Sequence, residues 1–119
     1  MKIIYSKNIP TIPVSHEDPK NPSAVKKVLL EHKDDISGTI QMINWATLLP
    51  HKSLLRHHHK DMKEIFIIIS GSSELIVDGR KSILHAGDMA IIEYGEQHTL
   101  HNVKNAPVRY IVVGIIPNS

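Results

Sequence analysis

No cysteine occurs anywhere in the 119-residue chain. A disulfide framework and a thiolate metal site are therefore excluded, and a reducing compartment suits the sequence. An excess of charge is missing too. Fourteen Lys and Arg against twelve Asp and Glu leave +2 with histidine neutral, too little to argue for a phosphate-backbone partner. No apolar run approaches a membrane span, and Ile3-Ile4-Tyr5 after Lys2 falls far short of a signal-peptide core. The expectation is a cytoplasmic protein with neither nucleic acid nor membrane among its partners. Helical periodicity is also absent, whereas turn signals recur about every 8 to 12 residues, the rhythm of an all-β sandwich or barrel.

What is present suits one ordinary globular domain, since 41% hydrophobic and 22% charged residues match neither a disordered nor a membrane chain. Residues 1–24 carry Pro10, Pro13, Pro19 and Pro22, a density that breaks helices and leaves an extended arm. Such an arm needs a surface to lie on, either its own barrel or a partner subunit. Residues 25–119 form the domain. Thr39 to Leu49 has apolar residues in both parities, so both of its faces read as covered, with Trp45 either core or pocket wall. Ile65 to Ile69 is strongly strand-prone, and Leu75-Ile76-Val77 enters the hairpin signal Asp78-Gly79 before Ser82-Ile83-Leu84 returns. Met89 to Ile92, Gln97 to Val103 and Val108 to Ile116 supply the remaining strands.

Nine histidines are the unusual count, and the sequence His57-His58-His59-Lys-Asp-Met-Lys-Glu64 sets three of them and a carboxylate at the opening of a strand. Side chains alternate along an extended chain, so His57 and His59 share a face, about 6.6 Å apart, while His58 points away. The turn through Lys60 to Lys63 can bring Glu64 back towards them. His98 is the candidate fourth ligand, on a strand expected to pair with the Glu64 strand and sharing its face with Leu100 and Asn102 but not with His101. Three imidazoles and a carboxylate suit Fe, Mn, Ni, Co or Zn. Four ionisable groups converging in an interior without a cation would be costly to bury, which favours a metal.

The spacing His57-x-His59, four residues, Glu64, six residues, Gly71 is similar to the first cupin motif, and Gly87, Gly95, His98 and Asn102 at their intervals resemble the second. The departures are His51, where the first motif opens with glycine, and Glu93, where the second has proline. Both could sit at a pocket rim or simply be solvated. The resemblance implies a single cupin-type, jelly-roll-like β-barrel binding one divalent metal (Fe, Mn, Zn or Ni) through His57, His59, Glu64 and His98. It also implies a homodimer paired through the arm. Phe66, Ile68 and Leu100 share parity with the ligands and either contact a small-molecule substrate or are plain core. Dioxygenase, isomerase or epimerase, and lyase chemistries all fit. The alternative is a non-catalytic module holding a metal or small metabolite.

Overall fold

The structure, a computed structural model, describes residues 1–15, 17–31, 34, 36–55, 58 and 60–118. His57 and His59 therefore lie outside the described residues. The arm contributes β1 (Lys2–Ile4), a 3-10 turn (Ser6–Asn8) and β2 (Ile12–Pro13). β3 (Val25–Lys26) pairs with β2 as a separate ribbon. Then come β4 (Thr39–Leu48), β5 (Lys63–Ser70), β6 (Ser72–Val77), β7 (Arg80–His85), β8 (Met89–Ile92), β9 (His98–His101) and β10 (Val108–Ile116). Five strands form one antiparallel sheet in the order β1-β8-β5-β10-β4, and three form another in the order β7-β6-β9.

The two sheets enclose one core. Phe66, Ile68, Ala90, Ile92, Val108, Tyr110 and Val112 from the larger sheet pack with Leu75, Val77, Leu84 and Leu100 from the smaller. Period-2 alternation drives this, and along β6 it appears as a strict buried-every-second-residue pattern ending at Val77. The all-β architecture read from the sequence is the one observed. Among the described residues the strands Met89–Ile92 and Val108–Ile116 have the bounds expected. The Asp78-Gly79 turn puts both residues at positive φ, 47° and 83°, as the tight hairpin linking β6 to β7 requires.

Two expectations fail. β9 pairs with β6 and not with the Glu64 strand, whose neighbours are β8 and β10. Parity assigns a residue to a face, but strand order is fixed by closure over long range. β4 is not covered on both faces either: it is the outer edge of the larger sheet, with Ile43 64% and Trp45 65% exposed. Trp45 is thus neither core nor pocket wall. In the arm, β1 lies against β8 of its own barrel.

Gly71 ends the β5–β6 turn at φ 83°, the same angle as Gly79, but a Cβ there would sit 2.9 Å from the Pro107 carbonyl oxygen, whereas one on Gly79 meets nothing within 4 Å. Gly79→Ala should therefore cost about 1 kcal/mol from backbone strain alone. Gly71→Ala should cost clearly more, because a backbone carbonyl cannot swing aside. Urea unfolding of the two variants checks the order.

Candidate functional site

Glu64 stands at the second position of β5, opposite Ile92 on one neighbour and Gly114 on the other. Its side chain enters the barrel at the row where β10 has no side chain. The space beside Gly114 is filled by thioethers, since a Cβ on Gly114 would fall 2.7 Å from Met62 Sδ and 2.9 Å from Met42 Cγ. His98 opens β9 on the facing sheet and is held there by the hairpin turn: Gln97 N–H donates to Asp78 Oδ1 at 3.0 Å, and Asp78 N–H donates to the Gln97 carbonyl at 2.9 Å. His98, Leu100 and Asn102, expected to share a face, are all buried, as is Thr99 between them.

A buried polar contact joins the two sheets. His98 Nε2 lies 2.8 Å from Glu64 Oε1, with the side chains only 2% and 6% exposed. His98 Nδ1 is 2.9 Å from the Glu96 carbonyl oxygen. A carbonyl only accepts, so Nδ1 carries a proton and Nε2 is the nitrogen turned to the carboxylate. Burial pulls the His98 pKa down, but the hydrogen bond to Glu64, the one to the Glu96 carbonyl and the charges of both carboxylates outweigh it and hold the group above 6.5. Phe66 meets the imidazole edge-on, with ring centroids 5.9 Å apart, and Tyr110 lies 5.9 Å beyond Phe66. Burial, with the charge of Glu64, raises the Tyr110 pKa, which keeps its hydroxyl protonated. Tyr110 escaped the sequence reading, although alternation along Val108, Tyr110 and Val112 carries the signal.

The donor chemistry fits a divalent metal. A neutral imidazole with Nδ1–H committed to a carbonyl presents its Nε2 lone pair in a fixed direction, the usual arrangement of a histidine ligand. Adjacent positions on a six-coordinate ion with bonds of about 2.1 Å stand about 3 Å apart, so two atoms 2.8 Å apart can share one ion. Among the described residues no group of three His, Asp or Glu converges; His57 and His59, expected as ligands, lie outside them.

The remaining sequence candidates are placed as follows. His58 is exposed. Phe66, Ile68 and Leu100 are 2%, 1% and 0% exposed and belong to the core cluster, Phe66 alone showing a ring contact with His98. His101 is half-buried and faces Glu74 at 3.8 Å. His51 adopts φ 60°, taking the conformation the motif's glycine would, with Nε2 2.6 Å from Asn105 Oδ1. Glu93 donates its N–H to Glu96 Oε1 at 2.8 Å, a bond that proline could not make, and its carboxylate pairs with Lys63 at 3.3 Å. Asn102 ties the loop by donating to the Leu48 and Ala106 carbonyls. A cavity of about 570 Å³ lies away from the pair, between the arm and the β7–β8 turn, where Lys27 donates to the Ser6 carbonyl at 2.7 Å.

Comparison with known proteins places this geometry. Residues 44–114 match a family model described as a cupin domain. The oxalate-binding protein of Thermotoga maritima is 29% identical over 92 residues, 77% of this chain and 76% of its own. A solved structure described as a sugar phosphate isomerase from a cupin superfamily, from Silicibacter pomeroyi, is 29% identical with a TM-score of 0.58 over 61% of this chain. This chain spans about half of that one, 48%. A cupin 2 conserved barrel domain protein from Salinispora arenicola, 21% identical, shares the fold at a TM-score of 0.58 over 76% of this chain and 88% of its own.

A histidine whose folded pKa lies above its unfolded one stabilises the fold fully below pH 6.5, and that contribution is lost as pH rises through the raised value. Metal-free protein should therefore lose thermal stability as pH rises above about 6.5, and His98→Gln should flatten that slope. Melts of chelator-treated protein across the neutral and alkaline range measure both.

Proposed function

Since the chain belongs to the cupin domain family that its residues 44–114 match, we propose that it binds one divalent transition metal through His57, His59, Glu64 and His98 and acts as a metal-dependent enzyme on a small chelating organic acid. The observation that carries this reading is the buried Glu64–His98 contact with Nδ1 already committed to the Glu96 carbonyl. Burying a carboxylate beside an imidazole costs desolvation, and a hydrophobic pair would serve the core at least as well. A metal gives that cost a purpose.

When bound, the ion supplies Lewis-acid or redox chemistry at its open positions. The chain's own groups do the rest. Glu96 fixes the His98 tautomer through its carbonyl, and the core rings Phe66 and Tyr110 exclude water from the pair. Tyr110 stays protonated and so offers a neutral donor rather than a second negative charge. Met42 and Met62 give the region beside Gly114 a flexible apolar wall. Phe66, Ile68 and Leu100 bound the same interior and are the proposed substrate contacts.

The substrate class follows from charge. A phosphorylated sugar needs cationic side chains, and Arg109 pairs with Thr47 on the outward parity of β10 and is exposed. Arg56 lies outside the described residues. The oxalate-binding relative supports a small dicarboxylate. That relative's name also favours a second reading, in which the protein holds metal and acid without turnover.

Glu64→Ala, His98→Ala and His59→Ala should each lower metal stoichiometry or affinity at least tenfold, measured by elemental analysis and by titrating metal into stripped protein. Full retention in all three would put the metal elsewhere. Calorimetric titration with oxalate should show binding only to loaded protein, and product formation or oxygen uptake over small acids separates the enzyme from the module.

A further inference from the structure

The cavity of about 570 Å³ beside the arm is assembled from separate stretches of chain. Tyr5, Ser6 and Lys7 come from the arm, Lys27 from just beyond β3, and the rest from β7 and the turn that follows it. Its volume falls in the range that holds a small molecule.

The floor is tightly tied. Asp88 is 4% exposed and engages both carboxylate oxygens with backbone donors, accepting from Ser6 N–H at 2.8 Å through Oδ1 and from His85 N–H at 2.7 Å through Oδ2. One aspartate thus fastens the arm to the barrel. Gly87 permits the close approach, since a Cβ there would fall 2.9 Å from Ser6 Oγ. Its N–H donates to the Ile68 carbonyl at 2.8 Å, and Ile68 N–H donates to the Asp88 carbonyl at 3.0 Å, so the floor continues into β5.

Above that floor the charge is positive. Lys27 Nζ donates to the Ser6 carbonyl at 2.7 Å and to Ser6 Oγ at 3.3 Å, which leaves one of its three donors for another group. Lys7 Nζ stands 5.9 Å from the centroid of the Tyr5 ring. Among the described residues neither ammonium makes an ion pair with a carboxylate. Two ammonium groups outnumber the single carboxylate of Asp88, whose oxygens already face N–H groups. Tyr5, Ile83 and Ala86 give the cavity an apolar wall.

We propose that this cavity is a second ligand site, binding a small organic anion with its acid group between Lys7 and Lys27 and its apolar or aromatic body against Tyr5 and Ile83. An ammonium is a point charge that takes carboxylate and phosphate alike, so the chemistry recognised is an anionic head on an apolar body. A cationic ligand would meet two like charges, and a neutral one would leave both lysines without a counter-charge. The site stands apart from the proposed metal centre, because neither Glu64 nor His98 lines it. A ligand here touches arm and barrel together and so reinforces the Asp88 clasp.

Titrating the intact protein with benzoate or phenyl phosphate, followed by amide chemical shifts, should give saturable binding in the millimolar range or tighter, with shifts centred on Ser6, Lys7, Lys27, His85 and Ala86. Saturation by either acid at these residues supports the proposal, and the tighter of the two names the head group. Benzyl alcohol, which has the body without the charge, should not bind. Lys7→Gln with Lys27→Gln should weaken binding about tenfold or more with the far-ultraviolet spectrum unchanged. Lys7→Gln alone, which leaves the Lys27–Ser6 bonds in place, should weaken it severalfold. Lys20→Gln with Lys52→Gln, which removes the same charge elsewhere, should leave it unaltered. Saturation by neither acid overturns the proposal, as do shifts confined to the barrel interior around His98. So does binding of benzyl alcohol as tight as that of the acids, or an equal loss in the two double variants. Metal content is read separately, so failure here leaves the metal assignment untouched.

Discussion

A carboxylate and an imidazole 2.8 Å apart in a nearly dry interior are the constraint around which this barrel is built. Each belongs to a different sheet, so the contact exists only when the sheets close. Among the described residues, backbone and turn groups help to hold it. Asp78 exchanges two hydrogen bonds with Gln97, and the Glu96 carbonyl takes the Nδ1 proton. Glu96 itself stays ionised: burial opposes this, but the Met1 ammonium at 2.8 Å and the Glu93 N–H hold its pKa down. The result is preorganisation, in which the imidazole is aimed before anything binds and little reorganisation is left to oppose binding.

Buried ion pairs are a poor way to gain stability, since the desolvation of both partners offsets much of their attraction. Around the pair lies an apolar cluster that runs from Leu48 to Val112. On the proposed metal reading, the pair is a functional cost set into an apolar frame. The frame explains its unusual neighbours: Gly114 removes a side chain opposite Glu64, and two thioethers, the most adaptable apolar groups available, fill the gap.

How legible this was depends on the range of the information. Alternation is local, and it picked out His98, Leu100 and Asn102, all buried, along with the exposure of His58 and the extents of β8 and β10. Turn chemistry is equally local: Asp78-Gly79 follows from residue type alone, whereas the left-handed His51 follows from the motif glycine whose place it takes. The partner of β9 is not local. His98 reaches Glu64 across the barrel rather than along a shared ladder, because chain closure places β10 and β8 beside β5. Spacing and resemblance brought Glu64 and His98 into one proposed site, and for these two the proximity is observed. Tyr110 was hidden because a tyrosine among valines and isoleucines looks like ordinary strand filling.

The misreading of β4 has a physical cause of its own. A strand apolar in both parities is the signature of burial on both faces, and the inference assumes that whatever covers it belongs to the same chain. Here one face serves the barrel through Met42, Ala46 and Leu48, while the other carries Ile43 and Trp45 into solvent. Composition records what a surface needs and not who supplies it. Such a patch marks an interaction site more often than an accident, and Ile4, Leu29 and Ile36 show how the same face is covered a few strands away. The pattern therefore reads face by face: the barrel meets the inner face of β4, and among the described residues the outer face of the sheet is covered only towards β8 and β5.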